Sequence, residues 1–173
     1  MTAAERLLAD LDAAMDGGGT GLHAADELCR ACVEFLGVDG AAVSYVRDGS
    51  SSGTFGSSGE LSRGLDELQF TFGEGPCYDA VATKATVFAP DLALPSERRW
   101  PAFSRAVLSH DVRAVFAVPV IIAASPVGAL DVFRHDPGGL SSDVLEGLVH
   151  AAHLAAFPLL DIMTIGRDWA AAG

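Results

Sequence analysis

Positive charge is scarce in this chain: its 173 residues include 11 Lys and Arg against 23 Asp and Glu, a formal net charge of −12. An acidic surface of that kind repels a phosphate backbone, so direct nucleic-acid binding is not expected. Cysteine is thin as well, at 3 residues. An odd number cannot pair off completely, and a chain of this size builds its core without cross-links, so reduced thiols in a reducing compartment are expected. Long hydrophobic runs are missing. The longest unbroken apolar stretch, "AVFAVPVIIAA" from Ala114 to Ala124, contains Pro119 and falls short of the roughly 20 residues that cross a bilayer, so no membrane contact is expected. The N-terminus "MTAAERLLADLD" has Glu5, Asp10 and Asp12 where a secretory leader needs a basic start and an apolar run, and the expected location is the cytoplasm. Catalytic signatures are lacking too: there is no G-x-S-x-G elbow, no Walker A loop and no G-x-G-x-x-G turn. The five histidines, at 23, 110, 135, 150 and 153, fall into no metal-ligand spacing, so hydrolase and nucleotide-hydrolysing readings have no support, and the residues identify no cofactor.

What the chain does have is 50% hydrophobic residues in periodic patterns, enough for one domain core. "AERLLADLDAAMD" places Leu7, Leu8, Leu11 and Met15 near one helical face before Gly17–Gly19 end the period. "LHAADELCRACVEFLG" carries a second apolar stripe that includes Cys29 and Cys32, with Gly37 in the stopping position. The period then becomes two. "AAVSYVRDG" reads as a strand running into a turn at Asp48 and Gly49, with "GTFGSSG" as its antiparallel partner. "ELSRGLDELQFTFGEGP" mixes a helical turn with an extended piece, "CYDAVATK" is a short helix opened by Pro76, and "TVFAPDL" is a strand ended by Pro90. Pro101 starts another helix. "VRAVFAVPVIIAASPVGALDVFR" is a hairpin whose second strand puts Leu130 and Val132 on one side and Ala129, Asp131 and Phe133 on the other. A long last helix, capped by Ser141 or Ser142 and containing Pro158, closes the pattern. Antiparallel hairpins between terminal helices predict an α+β sandwich. The expected organisation is an amphipathic helix and Gly-rich linker over 1–19, the domain over 20–165 and a tail over 166–173.

Three candidate features stand out. Cys77 follows a Gly-Glu-Gly-Pro turn at a helix start, where a thiol reacts, holds a ligand or simply packs; no cation closer than Lys84 favours the thiolate, so packing is expected. Arg98 and Arg99 beside Trp100 either clasp an anion or tie down a solvated loop. Asp131, inside an apolar strand, is a structural anchor or a pocket wall.

Taken together, "LQFTFGEGPCYDAV", "VFAPDLALPSERRWPAF" and "VRAVFAVPVIIAASPVGALDVFR" resemble the GAF sensor family over about residues 20 to 160. The likeness is nearest to actinobacterial GAF domains of the GAF-ANTAR type, and no ANTAR module is recognised in this chain. The resemblance implies a central antiparallel sheet with the terminal helices on one face and, on the other, a pocket roofed by short helices and loops. It implies bacterial signal transduction, a small-molecule ligand and output through a separate protein. The Asn-Lys-Phe-Asp-Glu signature of cyclic-nucleotide-binding members is not reproduced, since Thr83 precedes Lys84 and Leu92 follows Asp91. Pocket walls are expected from Phe72, Tyr78, Phe88 and Trp100, with Arg113 and Asp131 as orienting polar groups and Cys77 and Asp91 at the rim. The alternative is that these aromatics form only a second small core. A second function class, a thiol-dependent reductase like the free-methionine sulfoxide reductases, needs several thiols around that pocket. Homodimerisation through the first and last helices is also expected, from the stripes of Leu7, Leu8, Leu11 and Met15 and of Leu145, Leu148 and Val149.

Overall fold

Alternating side chains along the longest strands sort the molecule into two layers. The computed structural model describes residues 1–16, 21–46 and 52–172, with side chains as far as Met163. Its elements are α1 (Ala3–Asp16), α2 (Leu22–Leu36), β1 (Gly40–Tyr45), β2 (Gly53–Ser57), α3 (Glu60–Phe72), α4 (Pro76–Thr83), β3 (Val87–Ala89), α5 (Pro101–Leu108), β4 (Ala114–Ile122), β5 (Ser125–Arg134) and α6 (Ser142–Ala172). The strands form one antiparallel sheet in the order β2-β1-β5-β4-β3. This is the expected α+β class.

On β5, Leu130 and Val132 face α2 and α6, while Ala129 and Phe133 face α3, α4 and α5. The first layer is an apolar core of Leu11, Leu28, Phe116, Leu130, Leu148 and Leu159, all essentially without solvent contact. Burial of this extent is the main stabilising term in the fold. Leu11 and Leu148 are thus spent inside the chain, and Leu7, Met15 and Val149 pack against the same core, so much of the stripe expected to form a dimer surface is covered internally. Within α6, Ser142–Met163 is long and apolar enough to cross a membrane by length and composition alone. Its stripe of Leu148, Ala151, Ala152, Ala155 and Leu159 is buried in this core, which accounts for the apolar character.

Element ends follow from local chemistry. Gly37 takes φ 68° just past α2, and Pro76 and Pro101 open α4 and α5. Ser141 Oγ accepts the Val144 N–H at 3.2 Å and caps α6. The β4–β5 turn places Ala123 at φ 51° and Ala124 at φ 67°, a left-handed pair that glycine or asparagine ordinarily fills.

Two expectations change. Glu60–Phe72 is one continuous helix rather than a helical turn plus an extended piece, because its inward stripe reads Ser62, Leu65, Asp66, Gln69. The spacing is helical but three of the four residues are polar, so hydrophobic periodicity does not register it. Helix α6 also runs through Ala172, so the expected tail from residue 166 is helical up to there. The Gly17–Gly19 linker, the Asp48–Gly49 turn and Gly173 lie outside the described residues.

Candidate functional site

Small side chains make the floor of the second layer. Asp131 sits in register between Ala42 of β1 and Ala117 of β4, and Ser44 pairs with Ala129. With so little side-chain bulk on the floor, α3 and α4 approach the middle of the sheet closely, and α3 lowers Asp66 and Gln69 onto it from positions one turn apart.

Four polar side chains meet there with no solvent exposure: Ser44, Asp66, Gln69 and Asp131. The Gln69 amide donates from Nε2 to Asp66 Oδ1 at 2.9 Å and to Asp131 Oδ2 at 3.0 Å. Ser44 Oγ lies 2.7 Å from Asp66 Oδ1 and 3.0 Å from Asp131 Oδ2. Thr54 Oγ1 donates to Asp66 Oδ2. Asp131 Oδ1 is buried and has no hydrogen-bond partner among the described residues. Burial, reinforced by the Asp66 charge, pushes the Asp131 carboxyl well above the ordinary range, while the Gln69 and Ser44 bonds act the other way. Among the described residues no Lys, Arg or His forms an ion pair with either carboxylate. Arg63, on the same helix, is turned to the Thr54 carbonyl at 3.3 Å and to Asp26 at 3.8 Å.

The Gly-Glu-Gly-Pro turn fastens this network to the roof. Gln69 Oε1 accepts the Cys77 N–H at 2.8 Å, which fixes the amide with its NH2 toward the carboxylates. Gly75, at φ 148°, lies so close that a Cβ there would stand 2.4 Å from Gln69 Oε1, so only glycine fits. Glu74 Oε1 accepts the N–H groups of Ala102 at 2.8 Å and Phe103 at 3.2 Å, supplying the cap that Trp100 does not give α5. Asp79 Oδ2 accepts the Trp100 Nε1–H at 3.0 Å. The turn therefore joins α3, α4 and α5 into one lid.

Of the sequence-predicted site residues, Cys77 and Asp131 lie together in this network. Burial, with the Asp131 and Asp66 charges behind it, pushes the Cys77 thiol far up, so it is a thiol and not a thiolate at neutral pH. Tyr78 is half-buried beside it, edge-on to Phe70 at 5.7 Å, and burial raises its hydroxyl. Trp100 is buried in the same layer, edge-on to Phe103 at 6.3 Å. The others are elsewhere. Phe88 is 46% exposed and points through the opposite face toward Phe116, because the period of two turns Val87 and Ala89 to this side. Phe72 is 43% exposed at the end of α3. Asp91 and Arg113 form a bidentate ion pair, 2.9 Å at both contacts, and the Arg113 bond holds the Asp91 carboxyl below its ordinary range. Arg99 stacks over Trp100 at 4.3 Å and donates to Glu97 and to the Phe88 carbonyl, so its guanidinium belongs to the loop.

Ser44, Thr54, Asp66 and Gln69 were missed by sequence reasoning. The available signal was the helical spacing of Ser62, Leu65, Asp66 and Gln69, and the alternation that sets Ser44 on the face opposite Val43. Cys29 and Cys32 are buried in the first layer, across the sheet from Cys77; burial pushes Cys32 up to about 12.

A family model for the GAF domain matches residues 23–159. Among solved structures, the chain is similar to the GAF domain of a phosphoenolpyruvate-protein phosphotransferase from Acinetobacter, with TM-score 0.75 and 14% identity over 96% of this chain and 99% of that one. It is similar to a domain of a putative two-component sensor histidine kinase from Sinorhizobium meliloti, with TM-score 0.64 and 11% identity over 86% and 94%. It is also similar to the free methionine-R-sulfoxide reductase of Neisseria meningitidis, with TM-score 0.66 and 17% identity over 90% and 87%. Among curated proteins none matches the chain. At these identities the likeness to solved structures shows the fold.

Proposed function

Since the chain belongs to the GAF domain family, we propose that it is a non-catalytic sensory or regulatory domain that binds a small molecule on the α3–α5 face and signals through a partner protein. The observation that carries this reading is the buried network of Ser44, Asp66, Gln69 and Asp131 at the centre of that face. An ordinary core position gains more from an apolar side chain than from two carboxylates without a cation, and a buried carboxyl shifted as that of Asp131 is found preferentially at functional sites. The motif likeness to GAF domains of the GAF-ANTAR type favours regulatory output, and the same reading includes a homodimer through α1 and α6, where Phe157 stays 68% exposed.

The cysteines favour sensing over reduction. A thiol relay needs a thiolate and a second thiol within reach; Cys77 is held protonated, and Cys29 and Cys32 are on the far side of the sheet. Native mass spectrometry of the purified protein, followed by amide NMR with each co-purifying compound, tests the reading. The expected result is a bound small molecule that shifts the Gln69 side-chain amide. Methionine sulfoxide turnover by the wild type that disappears in Cys77→Ser would replace this reading with the reductase.

A further inference from the structure

One serine hydroxyl stands between two buried carboxylates, and its hydrogen count is unequal to the task. Ser44 Oγ is 2.7 Å from Asp66 Oδ1 and 3.0 Å from Asp131 Oδ2, yet it has a single hydrogen and can donate to only one. If both carboxyls were ionised, the second contact would set a hydroxyl lone pair against a carboxylate oxygen inside the core. The two hydrogens of Gln69 Nε2 serve one oxygen of each carboxylate and cannot make up the shortfall. Asp66 has three donors, namely Ser44, Gln69 and Thr54, whereas Asp131 is left with an unpartnered Oδ1. One extra proton on Asp131 closes the count.

We propose that Asp131 and Asp66 share one proton through Ser44, in the order Asp131 Oδ2–H to Ser44 Oγ, then Ser44 Oγ–H to Asp66 Oδ1, and that this proton latches α3 and α4 onto the sheet. The unpartnered Asp131 Oδ1 is then the carbonyl oxygen of a neutral acid, far cheaper to bury than an anionic oxygen. Ionisation breaks one O–H bond: the electron pair stays on Asp131 and the proton leaves to a solvent base. Two adjacent anions then remain in a dry site, and separating them means lifting α3, which carries Asp66 and Gln69. Gln69 holds the Cys77 N–H, so α4 is drawn along. As regulation of the ligand face, the latch rests on the sensory reading given above, with the protonated form closed and the ionised form open.

Among the described residues the groups facing the pair supply no cation paired with either carboxylate, and the Cys77 thiol bonds Ser44 rather than Asp131. From α4 come Cys77 and Tyr78, both shifted upward and neutral near pH 7. From β1, β2 and β4 come Ser44, Thr54 and Ala117. Arg63 of α3 is committed to Thr54 O and to Asp26 of α2, and across the sheet α2 also brings the buried thiol of Cys29, whose deprotonation burial opposes.

The test is a pH titration of the ligand-free full chain, reading the side-chain carboxyl carbons of Asp66 and Asp131 by NMR and the hydrogen exchange of the α3 and α4 amides in the same samples. The expected result is an Asp131 carboxyl that titrates clearly above the ordinary aspartate value of about 3.9. Local opening of α3 and α4, corrected for intrinsic exchange, should rise at least tenfold, on the order of 1.4 kcal/mol, across the Asp131 step. In Asp131→Asn, or in Asp66→Asn should the first variant fold poorly, that rise should vanish. An Asp131 carboxyl that titrates in the ordinary aspartate range overturns the shared proton. A high step with no change in α3 and α4 opening, or the same rise in both variants, overturns the latch. Because no ligand is present, either failure leaves small-molecule binding on this face standing, and absence of a ligand leaves the proton count standing.

Discussion

The two faces of the sheet are built to different rules. Toward α1, α2 and α6 the strands present Phe116, Val118, Leu130 and Val132, and helical leucines fill the space above them. Toward α3, α4 and α5 the middle of the sheet presents Ala42, Ser44, Ala117, Ala129 and Asp131, and the helix above answers with Asp66 and Gln69. An apolar core gains free energy in proportion to area and tolerates no unpaired polar atom. A polar network holds only while each donor and acceptor is matched. The first face is therefore the mechanical base of the domain, and the second is a closure whose strength depends on what occupies it.

The contrast breaks first where it is strongest. Phe116→Ala empties the centre of the apolar layer and should cost about 4 kcal/mol of stability, read by chemical denaturation. A loss below about 1 kcal/mol would mean the first layer is not the base.

Asp131→Asn sharpens the comparison from the other side. The Asp131 carboxyl is shifted upward in the folded state, so the stability it contributes is present below the ordinary aspartate value and is lost as pH rises toward the shifted one. The wild type should lose about 1.4 kcal/mol for each pH unit in that window, starting near pH 4. The asparagine variant, neutral throughout, should show a flatter profile, so the difference between the two proteins should move in its favour as pH rises, measured by urea melts across the range. A wild type that gains stability over the same window would have the sign wrong.

Gly75→Ala should cost roughly 2 kcal/mol, because φ 148° is strained for alanine and its Cβ meets Gln69. The Gln69 side-chain amide should shift in the NMR spectrum while first-layer signals stay in place.

Smallest is Ala124→Gly in the β4–β5 turn, which should stabilise by about 1 kcal/mol by removing a left-handed alanine at φ 67°. It should leave the pH profile untouched, since the turn lies outside both layers.

The same contrast explains what was legible in the sequence. Helices α2 and α6 and the β4–β5 hairpin announce themselves because their buried faces are apolar at regular spacing; Gly37 and Ser141 mark the end of α2 and the start of α6, and Pro76 and Pro101 the starts of α4 and α5. Helix α3 does not, because Ser62, Asp66 and Gln69 occupy its inward stripe and look like surface residues. Asp131 was visible as a charge in an apolar strand, and Cys77 as a thiol at a helix start. Their partners were not, since Ser44 comes from a strand 87 positions before Asp131 and Asp66 from the helix that was only half recognised. Phe88 misled in another way: an aromatic in a three-residue edge strand has two faces to choose from, and its flanking Val87 and Ala89 took the inner one.

Native-state hydrogen exchange at pH 7 tests the division of labour most directly, because it reads the opening free energy of each layer in one experiment. Amides of α2, β4 and β5 should exchange only through global unfolding, and those of α3 and α4 through a separate opening at least about 2 kcal/mol less costly. Equal protection of α3, α4 and α2 would contradict the account, since the two faces would then be a single cooperative core.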